Sequence, residues 1–181
     1  MKNVLMFDIE TFGTVANAVV ISVGAAGFDK EGKSFEYYQR IDIESQTKAG
    51  RSMNESTLLW WMDQSKEAQT VFKEDAQDTK YALDKMIVQI QNRFDLKKLE
   101  VYGNGANFDI TIMENLLATF ELPIPWKFWN IRCYRTIKNL FAGTVMKREG
   151  THHNALDDAK DQLKHLQMIN TNHNLKIGLY A

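Results

Sequence analysis

Residues 4–10, Val-Leu-Met-Phe-Asp-Ile-Glu, are apolar on both faces of a two-residue repeat until carboxylates close one face. A strand apolar on both sides must have covered neighbours, so this one is expected at the centre of a sheet. Side chains alternate along a strand, which puts Asp8 and Glu10 on the same face as Val4 and Met6. Two acids closing a buried face repel each other unless a cation or another partner lies between them.

The rest of the chain supplies the layers such a strand needs. Val19 to Phe28 and Phe35 to Ile43 are β-rich runs separated by the turn-like Asp29-Lys-Glu-Gly32, which predicts a three-stranded meander with the first strand. Helical patterns cover Glu55 to Asp63 and Ala76 to Phe94, the latter with Leu83, Met86, Ile87, Ile90 and Phe94 on one stripe. A short strand, Leu99 to Tyr102, precedes the Gly103 to Asn107 turn. Asp109 then opens a helix buried through Met113, Leu116, Leu117 and Phe120, and a last helix runs from about Ala155 to Met168. Strands first, then helices around a later strand, indicate an α/β fold with a mixed sheet.

At 181 residues and 44% hydrophobic content, the chain suits one domain, residues 1–181. No apolar run approaches the ~20 residues of a membrane-spanning helix. The acids of the first strand exclude a signal-peptide core, so a cytoplasmic protein with no membrane partner is expected. The single cysteine, Cys133, argues against zinc and a disulfide scaffold and reads as a small core filler. A net charge of −1 does not advertise a nucleic-acid binder. Between Lys127 and Arg148, however, Lys127, Arg132, Arg135, Lys138, Lys147 and Arg148 are interrupted by no Asp or Glu. That run is either a basic binding segment or a solvated face.

Other chemistry-bearing residues lie near element ends. Asp109, at a helix start, reads on its own as an N-cap; the Gly103 and Gly105 turn before it suits a cleft floor but equally an ordinary loop, so Asp109 becomes a site candidate only through its company. Asn154 is a plausible N-cap with Asp157 three residues on, as in a capping box, which leaves Asp158 at the margin of the buried face and able to point into a cleft. His153 precedes that helix on a loop beginning near Gly150, with His152 as rival for any role. His165 and His173 read as exposed helix residues. Asp8, Glu10, Asp109 and Asp158 with His153 have the make-up of a two-metal phosphodiesterase site, because hard divalent cations take several converging carboxylates and a histidine can deprotonate water.

Asp8-Ile-Glu10-Thr11, Asn107-Phe-Asp109 and His153-Asn-Ala-Leu-Asp-Asp158 resemble, in order and distance, the three motifs of the DEDDh 3′–5′ exonucleases, the DnaQ-like branch of the ribonuclease H-like fold. Thr57 to Ala68, with Trp60-Trp61, is similar to the Trp-Trp segment of the phage exodeoxyribonuclease and mycobacterial adenosine-specific exoribonuclease branch of that group. The three-part combination is far more specific than any one motif.

The resemblance implies a ribonuclease H-like mixed sheet, an antiparallel meander plus parallel strands, flanked by helices. It also implies a hydrolase that releases nucleoside 5′-monophosphates from 3′ ends of single-stranded nucleic acid. DNA is favoured and RNA ends or short oligoribonucleotides are the alternative; a catalytically idle binding scaffold is the reading of another class. Asp8, Glu10 and Asp158 would hold one Mg²⁺ or Mn²⁺, with Asp8 shared and Asp109 holding a second ion largely through water. His153 would be the general base. Thr11, Phe12, Asn107 and Trp61 are the candidate substrate contacts, although Phe12 and either tryptophan equally suit ordinary packing. Homodimers are frequent among such enzymes, so a dimer is an allowed partner state here.

Overall fold

The computed structural model describes residues 1–178. Its sheet is built from β1 (Val4–Thr11), β2 (Val20–Phe28), β3 (Ser34–Arg40), β4 (Glu100–Gly103) and β5 (Ile131–Cys133), in the order β3-β2-β1-β4-β5. β1 is therefore the central strand, as its two apolar faces require. β1 to β3 pair antiparallel and β4 and β5 run parallel to β1, which gives the expected mixed sheet.

Helices cover both faces. They are α1 (Ile43–Lys48), α2 (Glu55–Met62), α3 (Thr79–Arg93), α4 (Asp109–Thr119), α5 (Tyr134–Leu140) and α6 (Ala155–His173), with short 3₁₀ turns at Ala68–Lys73 and Phe128–Asn130. Leu5, Phe7 and Ile9 face one core with Leu83, Met86 and Ile90 of α3 and Met113, Leu116 and Leu117 of α4. Val4 and Met6 face another with Ala159, Leu163 and Leu166 of α6. Strand parity thus aims Asp8 and Glu10 at α6.

Several expectations are corrected. The third strand, expected to reach Ile43, stops at Arg40 and is followed by α1, whose N-cap Asp42 accepts the Ser45 amide at 2.6 Å. β5 and α5 carry no sequence signal; three residues are too few for a period. Cys133, at the end of β5 on the sheet edge, is half-buried rather than a core filler. His165 is not exposed. It is buried between the Tyr134 hydroxyl, 2.7 Å from Nδ1, and the Thr144 carbonyl, 2.6 Å from Nε2. Among the described residues no helix is long and apolar enough to cross a membrane.

Candidate active site

Asp8 and Glu10 lie near the C-terminal end of β1, where a register shift after Glu10 ends regular pairing with β2. Across from Asp8 sits Gly24 of β2, and α6 rests directly on it: a Cβ there would meet the Ala155 carbonyl carbon at 2.1 Å. The missing side chain brings the first turn of α6 down onto the sheet beside the two acids. Asn154 caps that turn, its Oδ1 accepting the amides of Leu156 and Asp157, both at 3.1 Å. Asp157 does not complete a capping box. Its Oδ2 accepts the Thr151 amide at 2.9 Å and so fastens the loop that carries His153.

Asp158 is buried on the inner face of this turn, where its Oδ2 accepts the His153 amide at 3.2 Å. One turn further, Gln162 Nε2 donates to Asp8 Oδ1 at 2.6 Å. Nothing local had marked Gln162, yet it shares a stripe with Asp158 and His165 at helical spacing, and that stripe is the signal that could have found it.

Asp109 enters from the opposite strand neighbour. β4 ends at Gly103, and a Cβ on Gly103 would lie 2.9 Å from the Asp109 carboxylate, so only glycine lets this acid approach the strand end. The capping alternative fails: the N-cap position is Phe108, with no side-chain cap, and Asp109 is the first helical residue, 3% exposed.

His153 adopts φ 62, in the left-handed region that histidine tolerates better than most residues. This turn places a ring nitrogen with oxygens of Glu10 and Asp158 in one group whose atoms all lie within 4.8 Å of one another. His152 is exposed, its ring 3.9 Å from that of His153. His153 therefore takes the inner position and its rival the outer one.

Electrostatics mark the cluster as under-compensated. Burial, then Asp109 and Glu10, drive the Asp8 carboxyl well above the usual carboxylate range, against the pull of Gln162 and Arg148. Burial and Asp109 push Glu10 up to about 8. Burial raises Asp109 to about 7, although the amides of Asn104, Asp109 and Ile9 oppose it. Asp109 Oδ2 is buried without a hydrogen-bond donor. The nearest positive charge is Arg148, whose guanidinium contacts Asp158 and lies 3.7 Å from Asp161. His153 is held down at about 4 by burial, His152 and Arg148, so its imidazole is neutral and can accept a proton.

Beside Glu10 opens a pocket of about 400 Å³ lined by Thr11, Thr14, Trp60, Trp61 and Phe108. Trp61 is its anchor rather than its open face: it is 2% exposed and its Nε1 donates to the Thr11 carbonyl at 2.9 Å. Trp60, 42% exposed, presents the free ring, edge-on to Trp61 and 4.8 Å from the His153 ring. Phe12 is buried, stacked on Phe72 at 5.7 Å in a small core with Val19, Ile21 and Trp61, so it is a packing residue and not a free wedge. Thr11 closes the strand with its hydroxyl on the Gly13 carbonyl at 2.7 Å, and Asn107 is exposed on the turn before α4.

Residues 3–170 match the model of a family described as the 3′-5′ exoribonuclease Rv2179c-like domain. The exodeoxyribonuclease of Enterobacteria phage T4 is 30% identical over 157 residues, which cover 72% of this chain and 68% of that protein. Among solved structures, E. coli Exonuclease I in complex with a dT13 oligonucleotide aligns with 94% of this chain at a TM-score of 0.63 and 14% identity. This chain spans 41% of that one. The nuclease domain of 3′hExo, a DEDDh family member bound to rAMP, aligns over 95% of this chain and 92% of its own at a TM-score of 0.59 and 12% identity. At those identities the likeness concerns the fold, and it is the ribonuclease H-like one.

Proposed function

We propose that this chain, which belongs to the Rv2179c-like 3′–5′ exoribonuclease domain family and is a 3′–5′ exonuclease, removes nucleoside 5′-monophosphates from single-stranded ends, DNA before RNA. One observation carries the site: Glu10 of β1 and Asp158 of α6 meet around His153, while Asp109 of α4, its Oδ2 buried without a donor, is near enough for its charge to raise Asp8 and Glu10. Such a set fits divalent cations, because the orphaned Asp109 oxygen gains a partner and positive charge offsets the burial that raises Asp8, Glu10 and Asp109 and the repulsion that adds to it at Asp8 and Glu10.

Asp8, Glu10 and Asp158 would hold one Mg²⁺ or Mn²⁺, with Asp8 and Asp109 holding a second. When bound, the pair supplies Lewis-acid charge to the attacking and leaving oxygens of an in-line displacement. The protein's own groups do the rest. Neutral His153 takes a proton from the attacking water, whose oxygen bonds to phosphorus as the bond to the upstream 3′ oxygen breaks. Gln162 fixes the Asp8 carboxylate in place. Trp60 and Phe108 give the terminal nucleoside an apolar pocket next to Glu10, with Thr11 and Thr14 in its lining.

The DNA preference rests on the phage relative, an exodeoxyribonuclease. The RNA reading rests on the description of the matched family. Digesting labelled single-stranded DNA, duplex DNA and RNA of one sequence side by side tests it. Faster mononucleotide release from single-stranded DNA supports the proposal, and faster release from RNA reverses the preference.

A further inference from the structure

Two clefts reach the carboxylates and share no lining residue. One is the aromatic pocket beside Glu10; the other, a groove of about 310 Å³, is walled by Asn104, Lys138, Arg148, Asp158 and Gln162 among others. The second sets Lys138 and Arg148 beside Asp158 and Asp161, where the first is aromatic.

Its framework is fixed by two buried contacts and an exposed one. Tyr134 at the start of α5 bonds to His165 of α6, and His165 in turn bonds to the Thr144 carbonyl, so helix, helix and loop are tied together. Arg135 Nη2 donates to the Asn104 carbonyl at 2.6 Å, joining α5 to the turn before Asp109. Lys138, one turn on from Tyr134, is thereby held at the groove's rim.

Of the six cations from Lys127 to Arg148, only Arg148 forms ion pairs among the described residues, and its partners Asp158 and Asp161 line the groove itself.

We propose that this groove carries the sugar-phosphate backbone of the strand upstream of the scissile bond, with Lys138 at its rim and Arg148 at its inner end facing successive phosphates. This rests on the exonuclease reading and gives the strand a direction: terminal nucleoside in the aromatic pocket, 5′ chain along α5. Contacts of this kind grip the backbone without reading bases, and Arg148 presents a fork that matches phosphate as well as carboxylate.

Equilibrium binding of 5′-labelled oligothymidylates in Ca²⁺, over a range of salt, tests the assignment. Lys138→Ala should weaken binding of an octanucleotide about three- to tenfold, lower the salt slope by about 0.7, and change dinucleotide binding less than about twofold. Lys138→Arg should keep wild-type length dependence and slope. Equal losses on both lengths, or an unchanged slope for Lys138→Ala, overturn the groove. A wild-type chain that releases nothing from any oligonucleotide overturns the exonuclease reading instead. Wild-type release combined with an unchanged Lys138→Ala slope overturns the groove alone.

Discussion

Gly24 of β2 lies directly under Ala155, the first residue of α6, with space for no side chain between them. That contact sets the height of Asp158 above Asp8 and Glu10, although neither glycine nor alanine belongs to the site. Gly24→Ala should cost about 1–3 kcal/mol by overpacking and displace the start of α6. Activity should fall far more than thermal stability does, as seen by comparing kcat with Tm. A variant with a lowered Tm and wild-type kcat would show that the helix start does not set the acids.

Asp8→Asn removes a charge that burial and two neighbouring acids oppose. Hydrolysis should be lost while the metal-free protein becomes more stable, its Tm rising by about 2–4 °C for each kcal/mol of repulsion relieved. In the wild type, Mn²⁺ at about a hundred times its dissociation constant should add about 5–10 °C, and the variant should lose most of that gain. Calorimetry with and without Mn²⁺ checks both. A metal-free Tm lower than wild type would contradict the repulsion.

His153 sits inside the cluster and His152 outside it. His153→Ala should slow turnover by about 10²–10⁴-fold with a smaller change in oligonucleotide binding, whereas His152→Ala should cost less than about tenfold. Single-turnover rates on one oligonucleotide decide it. The reverse ranking would move the base to His152.

Asp29 ties the β2–β3 turn to the end of α3. Burial works against its carboxylate, but the Lys33 and Glu31 amides and the Arg93 guanidinium, 2.8 Å away, more than offset this and hold its pKa below the usual 3.8. A depressed folded pKa contributes stability above the unfolded value that is lost as pH falls through the folded one, here below about 4. Asp29→Asn should therefore destabilise by about 1–3 kcal/mol at pH 7 and flatten the acid limb of the stability curve. Urea unfolding at pH 7 and at pH 3 measures it; an equal penalty at both would remove the charge from the account.

Much of this arrangement was legible from periodicity. The two-faced apolar run put β1 at the centre, and its parity put Asp8 and Glu10 on the α6 side. Asn154 read correctly as a cap. What failed was tertiary. Asp109 looked like a cap because the type of residue suits one, while its burial depends on Gly103 in another element. Asp157 looked like half of a capping box but bonds to Thr151. Of the adjacent tryptophans, spacing allowed one to be buried; the Thr11 carbonyl chose Trp61. Phe12 was drawn inward by Phe72, far along the chain. Gln162 is marked only by its helical spacing from Asp158, and Arg148 meets the acids through the packing of the loop before α6, which no local pattern encodes.

The central claim is hydrolysis from the 3′ end by these carboxylates. Its most direct measurement is mass spectrometry of the products from a 5′-labelled single-stranded oligonucleotide incubated with Mg²⁺ or Mn²⁺, for the wild type and Asp158→Asn. The expected result is stepwise 3′ shortening with nucleoside 5′-monophosphates, absent in EDTA and in the variant. Internal cuts, 3′-monophosphates, or release that survives EDTA or Asp158→Asn would contradict it.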